Sequence, residues 1–429
     1  AQYGTAVVTF GLNVPRGCPM TDSFDSVFRE GLRELSLLNL SPLRRKVLWN
    51  DRFAALAIGG FSANYLKRLL MRLEERHPLG RLWDLDVYLG EECISGAAVG
   101  RPTRSCFLCD EPALVCRRLQ RHTKEEVFTW VKNEVETFVR KREELKPRVT
   151  RIGQAAHEAI AAEARVTPKP GLVDERGGGV HRDMDLELLI ESSNVIAPYL
   201  AQCADLAARR AIRGIVSPLA LFRKLQPIGI KAEEVMFART GGVNTHKGMI
   251  FSIGLLCGAA GSLVGRGEQL EPSLVCQEAS AISSGLVAHF DGLNKENINT
   301  KGEANYLSFQ SRGIRGEAEQ GFPCVLKVAL PEYISSIKRY DGHVPSVRTL
   351  LALMAVVEDS NVLYRSGPAG QKHLQECAKA ALDNGWPTNE KGKIAFANLE
   401  DFCLQCSLSP GGSADLLAVT IFLHSISNL

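Results

Sequence analysis

Two aspartates separated by one residue, Asp84 and Asp86, stand in the apolar stretch LWDLDVYLG. Alternate residues of a β-strand point to the same face, so both carboxylates can reach one metal ion. Mg²⁺ prefers oxygen ligands and commonly links protein carboxylates to substrate phosphates. Gly80 and Arg81 just before the pair favour this interpretation, because a glycine turn admits a phosphate chain and an arginine binds its oxygens with two donors. Two acids on an exposed strand face are the alternative.

Four candidate zinc ligands follow: Cys106 and Cys109 as C-x-x-C, then Cys116 and His122. Thiolates and imidazoles at this density suit a tetrahedral zinc site. The alternative is that the cysteines are small buried hydrophobic residues. Arginines crowd the same segment, and they form either a solvated face or a polyphosphate-binding surface beside the two aspartates. They are Arg101, Arg104, Arg117, Arg118 and Arg121.

The second half of the chain gathers its polar residues in five glycine-containing segments beside apolar helical stretches. Helix N-termini offer unpaired N–H groups and a positive dipole end, which suit phosphates. Carboxylates near them suit Mg²⁺ or a general base. Five such segments in one helical region indicate a single convergent site. The candidates are Lys169, His181 and Asp183 in segment 167–185; Asn244, His246 and Lys247 in 239–250; Arg315 and Glu317 in 312–323; Glu358, Asp359, Asn361 and Arg365 in 356–367; and Ser409, Gly411, Gly412 and Asp415 in 407–420.

Segment 239–250, RTGGVNTHKGMI, differs from the phosphate loop of nucleotide hydrolases. That loop needs G-x-x-x-x-G-K-[ST] after a strand, whereas here His246 precedes the lysine and Gly248 replaces the Ser or Thr. We interpret the segment as a glycine turn that brings Asn244, His246 and Lys247 to the start of a buried helix. Phosphate, ribose and adenine are the candidate contacts of these side chains.

Two regions of different character must position these residues. In the first 120 residues, strands such as TAVVTFGLNV mix with amphipathic helices, which predicts an α+β domain. A capping box at Thr123–Glu126 opens a long helix that we expect to end in the charged, proline-containing segment 141–150. Beyond it, amphipathic stretches rich in small residues predict a mainly α-helical domain. The predicted domains are residues 1–145 and 146–429.

Composition narrows the class of protein. A net charge of +3 and 7% aromatic residues argue against a nucleic-acid-binding protein. The first 150 residues hold 24 Lys and Arg against 19 Asp and Glu, so this part suits a polyanionic ligand better. We expect no signal peptide and no membrane span, since the apolar run Met249–Val264 is short and predicts a buried helix. Twelve cysteines then predict free thiols and a cytoplasmic protein.

The N-terminal motifs resemble a known family. LNVP, HPLGRLWDLDV and the Arg, Cys and His residues of segment 104–122 are similar to apo-citrate lyase phosphoribosyl-dephospho-CoA transferase over roughly residues 5–140. The resemblance implies a nucleotidyltransferase-like fold, Mg²⁺ on Asp84 and Asp86, and transfer to a serine of the acyl carrier subunit of citrate lyase with release of pyrophosphate. The sequence departs from the family pattern at Arg16, Met20 and Gly96.

The C-terminal motifs resemble triphosphoribosyl-dephospho-CoA synthase over nearly all of residues 151–425. They are TPKPGLVD, H-x-DMD, GVNTHKG, GIRGEA-x-x-GFP, ED-x-N-x-x-x-R and SPGGSADLLA. The resemblance implies that ATP and 3′-dephospho-CoA are joined with release of adenine, and that the product is the substrate of the N-terminal transferase. A related system serves malonate decarboxylase, but the attached transferase favours citrate lyase.

The implied chemistry breaks an N-glycosidic bond. By analogy with glycoside hydrolysis, one carboxylate should activate the attacking 2′-hydroxyl while another group protonates the leaving base. The candidate acids are Asp183, Glu358, Asp359 and Asp415, and the candidate triphosphate contacts are Lys169, Lys247 and Arg315. Two rival functions are a nucleic-acid-binding protein with a Cys-rich knuckle and a helical scaffold that docks onto citrate lyase.

Overall fold

A computed structural model describes residues 4–36, 38, 40–100, 104–214, 217–288 and 301–429. The chain divides into two compact units. Unit 1 consists of residues 1–145 with 213–215, and unit 2 of residues 146–212 with 216–429.

Unit 1 is built on an antiparallel sheet whose central strand is the first in the chain. The strands are β1 (Ala6–Leu12), β2 (Arg44–Leu48), β3 (Phe53–Ile58), β4 (Trp83–Leu89) and β5 (Glu92–Cys93), in the spatial order β2-β3-β1-β4-β5. Helices α1 (Ser23–Ser36) and α2 (Ala63–Arg76) connect them, and α3 (Ala113–Arg118) follows. On the core face Phe10 stacks on Phe28 of α1 and meets Trp83 edge-on.

The long helix α4 runs from Lys124 to Arg165 without interruption. Its predicted capping box is present, because the Glu126 amide donates to Thr123 Oγ1 at 3.1 Å and the Thr123 amide donates to Glu126 Oε2 at 2.7 Å. The prediction that the helix ends within residues 141–150 was wrong. Pro147 costs a helix about 3 kcal/mol, but strong helix formers surround it and Val149 and Ile152 bury one face of the helix just after it.

Unit 2 is mainly α-helical, and residues 166–185 form a long loop between its first two helices. Its remaining helices are α5 (Leu186–Ile212), α6 (Pro218–Arg239), α7 (Lys247–Arg266), α8 (Pro272–Ser283), α9 (Lys301–Phe309), α10 (Gly313–Glu319), α11 (Leu330–Ser336), α12 (Val344–Met354), α13 (Ser360–Asp383), α14 (Glu390–Gln405) and α15 (Gly411–Ile426). The predicted fold class, α+β followed by a mainly α-helical domain, is confirmed.

Helix α7 forms the core of unit 2. It is long and apolar enough to cross a membrane, but 83% of its apolar stretch is buried inside the protein. It is therefore a core helix, as the sequence predicted. Gly261 and Gly265 allow it to approach α5 closely, because a Cβ at either position would overlap the backbone carbonyl of Ala204 or Ala208.

Candidate active sites

Unit 2 contains a cavity of about 570 Å³ at which three long helices begin. Its lining includes Lys247 at the start of α7, Asn361 in the first turn of α13 and Gly411 at the start of α15. Because helix N-termini carry unpaired N–H groups and the positive end of the dipole, their convergence favours an anion. Four of the five predicted segments contribute to the lining: 167–185, 239–250, 356–367 and 407–420.

Asp415, near the start of α15, lies against the backbone of α7 and opens onto the unit 2 cavity. A Cβ at Gly248 would overlap its carboxylate, so the glycine is what permits the approach. Burial raises the pKa of Asp415 well above its usual value, and the charges of Glu163 and Asp359 raise it further. A carboxyl group in this state keeps its proton to higher pH than an ordinary aspartate, as a general acid requires.

Lys169 is placed differently from the sequence-based expectation. Its ammonium group is buried and donates to Glu163 Oε1 at 2.9 Å, to the Glu163 carbonyl at 2.9 Å and to the Ala164 carbonyl at 3.3 Å. An ammonium group has three donors, so none is left for a triphosphate. Lys169 instead ties the loop after α4 to the end of that helix, and we correct its role accordingly.

His246 is buried at the start of α7 and lines the unit 2 cavity. Its Nδ1 lies 3.0 Å from the hydroxyl of Ser192, which in turn lies 2.6 Å from Thr245 Oγ1. Burial, with the positive charge of Lys169 as the second cause, lowers the pKa of His246 to about 3. The ring is therefore neutral at physiological pH, and its Nε2 has no hydrogen-bond partner among the described residues.

Asn244 and Lys247 prepare the entrance of α7. The Lys247 amide donates to Asn244 Oδ1 at 3.1 Å, so the asparagine caps the helix from three residues upstream. The Lys247 side chain is exposed at the unit 2 cavity and forms an ion pair with Glu233 at 3.0 Å. The predicted glycine turn is therefore a capped helix start that presents a cation.

Asp359 joins the beginnings of two helices. Its Oδ1 accepts from the amides of Asn361 and Val362 at 2.9 and 3.4 Å, and its Oδ2 accepts from the Ser413 amide at 2.9 Å. Burial raises the pKa of this carboxyl group, while the hydrogen bonds from these amides and from Gly412 oppose the shift. Both oxygens are engaged, so Asp359 positions α13 and α15 and is not free to take a proton from a substrate.

His181, Asp183 and Ser409 form a polar chain at the edge of the unit 2 cavity. His181 Nε2 lies 2.8 Å from Ser409 Oγ, and His181 Nδ1 lies 3.8 Å from Asp183 Oδ1. Ser409 is buried, whereas the Asp183 side chain is 63% exposed. Asp183 therefore offers a solvated carboxylate at the mouth of the cavity.

Arg365 lies beside this chain and donates from Nη1 to the Ser407 carbonyl. The glycines of the turn before α15 have a steric role. A Cβ on Gly411 would lie 2.7 Å from Asn361 Nδ2, and one on Gly412 would lie 3.1 Å from Asp359 Oδ2. The turn therefore packs its backbone directly on the start of α13.

Three predicted residues lie away from this cavity. Arg315 lines a separate, mostly apolar cavity of about 480 Å³. Its Nη1 lies 3.8 Å from Glu303 Oε1. Glu317 accepts from the Cys324 amide at 3.2 Å, and burial raises its pKa. Glu358 is exposed and is not among the residues that line the cavity. Segment 312–323 therefore does not join the unit 2 cavity.

In unit 1, Asp84 and Asp86 share the more exposed face of β4, as strand alternation predicted. Lys67 of α2 is buried and donates to Asp86 Oδ1 and to the Leu85 carbonyl, both at 2.9 Å. Arg104 donates to Asp84 Oδ1 at 3.3 Å. Within the described part of the chain, the Oδ2 atom of each aspartate has no hydrogen bond or ion pair, so each carboxylate retains an oxygen for a cation.

Arg104 and Arg81 border a cavity of about 510 Å³ next to this face. Arg104 Nη2 also binds the buried Glu74 at 2.8 Å. Arg81 donates to the carbonyls of Ser105 and Cys106, and its guanidinium stacks over the Phe107 ring. Arg104 is therefore directed towards the aspartates, while Arg81 holds the Cys-containing segment instead of extending to a phosphate.

The four candidate zinc ligands come together. The donor atoms of Cys106, Cys109, Cys116 and His122 all lie within 4.8 Å of one another. Arg117, in α3, is exposed and is not among the residues that line the unit 1 cavity.

Comparison with known proteins follows the two units. The family model described as ATP:dephospho-CoA triphosphoribosyl transferase (CitG) matches residues 149–429. The chain belongs to the ATP:dephospho-CoA triphosphoribosyl transferase family. The family model described as apo-citrate lyase phosphoribosyl-dephospho-CoA transferase (CitX) matches residues 1–138 of the same chain.

Similar proteins include both fused and separate forms. The Protein CitXG of Haemophilus influenzae is 31% identical over 99% of this chain and 91% of its own length. The Protein CitXG of Leuconostoc mesenteroides is 30% identical over 99% of this chain and 92% of its own length. A probable 2-(5″-triphosphoribosyl)-3′-dephosphocoenzyme-A synthase of Salmonella gallinarum is 41% identical over 62% of this chain and 87% of its own length. The function predicted from the motifs, synthesis and attachment of the citrate lyase prosthetic group by a fused transferase, is confirmed.

Several charged residues that support the two sites were not predicted from the sequence. Glu163, Lys67 and Glu74 are all buried and each contacts a predicted site residue. Each occupies a helix position at which the apolar periodicity predicts a buried face. A charged residue on such a face is the signal that could have identified them.

Proposed function

We propose that the unit 2 cavity binds ATP and 3′-dephospho-CoA and replaces the adenine of ATP with the 2′-hydroxyl of dephospho-CoA. The C1–O bond forms from the hydroxyl oxygen, and the C1–N9 bond of ATP breaks. The hydroxyl proton passes to a base, and adenine leaves with a proton from an acid. The triphosphate stays on the transferred ribose.

The observation that carries this proposal is the convergence of the α7, α13 and α15 N-termini on one cavity that also contains Asp415. The helix ends, with Lys247 and Arg365, attract the triphosphate. Asp415 protonates the leaving adenine, since its buried carboxyl group holds a proton to higher pH than an ordinary aspartate. Asp183 accepts the proton of the attacking hydroxyl from the mouth of the cavity.

The test measures the release of adenine from ATP in the presence of 3′-dephospho-CoA, with adenine quantified by chromatography. Asp415→Asn and Asp183→Asn should each lower the rate about 10²- to 10⁴-fold, the range for loss of a general acid or base. Asp383→Asn, an exposed carboxylate at the end of α13, is the matched control and should leave the rate unchanged. Adenine release by Asp415→Asn at the wild-type rate would refute the assignment.

For unit 1 we propose transfer of phosphoribosyl-dephospho-CoA to a serine of the acyl carrier subunit, with pyrophosphate as the leaving group. The free carboxylate oxygens on the open face of β4 are the type of ligand that Mg²⁺ prefers, so Asp84 and Asp86 would hold it. Bound Mg²⁺ would neutralise charge on the triphosphate. Arg104 adds a donor beside these carboxylates, and Lys67 fixes Asp86.

This half is tested by the mass shift of the isolated carrier subunit, with the triphosphoribosyl product supplied directly so that unit 2 is not needed. Asp84→Asn and Asp86→Asn should abolish labelling while adenine release persists. Labelling by both variants at the normal rate would remove the metal assignment. The match of residues 1–138 supports citrate lyase over the malonate decarboxylase system. We also propose a cytoplasmic location, which the lack of any disulfide among the twelve cysteines supports.

A further inference from the structure

The cluster of Cys106, Cys109, Cys116 and His122 has the dimensions of a metal centre. Cys109 Sγ lies 3.4 Å from Cys116 Sγ and 3.3 Å from His122 Nε2. With Zn–S distances of about 2.3 Å, ligand atoms at the corners of a tetrahedron lie about 3.8 Å apart. The four donor atoms all lie within 4.8 Å of one another, so changes of up to about 1 Å in these separations would bring them onto one ion.

The backbone around the cluster is built to hold it. The Cys106 amide donates to the Glu111 carbonyl at 2.6 Å and the Ala113 amide donates to the Arg104 carbonyl at 2.9 Å, which closes a tight loop around Cys109. Cys116 follows on α3, and the Arg121 amide donates back to the Cys116 carbonyl at 3.1 Å, which places His122. The loop therefore supplies Cys106 and Cys109, helix α3 supplies Cys116, and the turn after α3 supplies His122.

We propose that these four side chains bind one structural Zn²⁺ ion. Three thiolates and an imidazole form a closed tetrahedral set with no position left for a substrate. Packing alone explains buried Cys106 and Cys116, but it gives no reason for an imidazole nitrogen to lie among three sulfurs. The zinc stabilises the segment between Arg104 and His122.

The zinc segment contacts the transferase site through Arg104 and helix α4 through Phe107. Arg104, two residues before the first ligand, reaches Asp84 and Glu74. Phe107, inside the C-x-x-C loop, packs against Trp130 of α4 with ring centroids 5.2 Å apart. Zinc therefore acts as a positioning group for Arg104, and this consequence depends on the function proposed for unit 1.

The first test is the metal content of the full-length protein purified without added metal. We expect about one zinc ion per chain, and a Co²⁺-substituted sample should show thiolate charge-transfer and tetrahedral d–d bands. Cys109→Ser and His122→Asn should lose the metal, whereas Cys93→Ser, an exposed cysteine of the same unit, should retain it. Protein without zinc that gives no cobalt spectrum, or a Cys109–Cys116 disulfide found by peptide mapping, would overturn the site.

The second test separates the metal site from the proposed function. Cys109→Ser should lower carrier labelling about 10- to 100-fold, the usual effect of losing support for a site. Adenine release by unit 2 of the same chain should persist, which shows that the effect is confined to unit 1, and the thermal unfolding of unit 1 in the His122→Asn and Cys109→Ser variants shows whether that unit is folded. Loss of zinc with undiminished labelling would refute the positioning of Arg104. Wild-type protein that contains zinc but does not label the carrier would refute the proposed function and leave the zinc site standing.

Discussion

Replacing Lys169 with methionine leaves the Glu163 carboxylate buried without its partner. The two side chains are 2% and 4% exposed and lie 2.9 Å apart. Removing one member of a buried ion pair costs about 3–5 kcal/mol, because the remaining charge is neither solvated nor paired. We therefore expect Lys169→Met and Glu163→Leu each to lower the free energy of unfolding by this amount.

The double variant should be more stable than either single variant. The Glu163 carbonyl keeps a hydrogen bond from the Val166 amide, so the Ala164 carbonyl is the main acceptor that loses its donor. An unsatisfied acceptor costs about 1–3 kcal/mol, well below the sum of the two single effects. Urea unfolding followed by far-UV circular dichroism, which is dominated by the helices of unit 2, measures the cycle. Lys372→Met, which breaks an exposed pair with Glu376, is the control and should cost at most about 1 kcal/mol.

Additive effects of the two substitutions would refute the buried-pair reasoning. The same variants test the corrected role of Lys169 during catalysis. If its ammonium group bound the triphosphate, the double variant would regain stability but keep a raised KM for ATP. We expect both stability and KM to recover together.

The remaining predictions concern Asp415, Gly248 and Asp359 of unit 2. Burial raises the pKa of Asp415, so the contribution of its protonated form to stability is present below the unfolded pKa and is lost as pH rises through the folded pKa. The Asp415→Asn variant should therefore gain stability relative to wild type as pH rises. The urea midpoint of both proteins measured against pH tests this, and a constant difference between them would contradict the shift. Gly248→Ala should destabilise unit 2 by about 1–3 kcal/mol and slow adenine release, because the new Cβ overlaps the Asp415 carboxylate. The control, Gly229→Ala, has open space around the new Cβ and should be neutral or stabilising. Equal effects of the two substitutions would show that the overlap is absent. Asp359→Ala should lower the free energy of unfolding by about 3 kcal/mol, because it removes the N-cap of α13 and the hydrogen bond that the carboxylate accepts from the Ser413 amide. A loss below about 1 kcal/mol would contradict the role of Asp359 in holding the starts of α13 and α15 together.

Features that depend on neighbouring residues were predictable from the sequence. The shared face of Asp84 and Asp86 follows from strand alternation, and the start of α4 follows from the Thr123–Glu126 capping box. The reading of segment 239–250 as a glycine turn into a buried helix was also correct, since Asn244 caps α7 within three residues. The end of α4 was misjudged because a proline penalty of a few kcal/mol is offset by packing, which local sequence does not contain.

The sequence by itself determined the two fold classes, the family and the residue types of both sites, because periodicity, capping and motif spacing are encoded over short stretches of chain. Tertiary structure alone decided what each polar residue does there. It buried Lys169 against Glu163, placed Asp415 over Gly248 and kept His246 neutral. The role of a charge depends on its desolvation and on its partners, and folding brings those partners from distant parts of the chain.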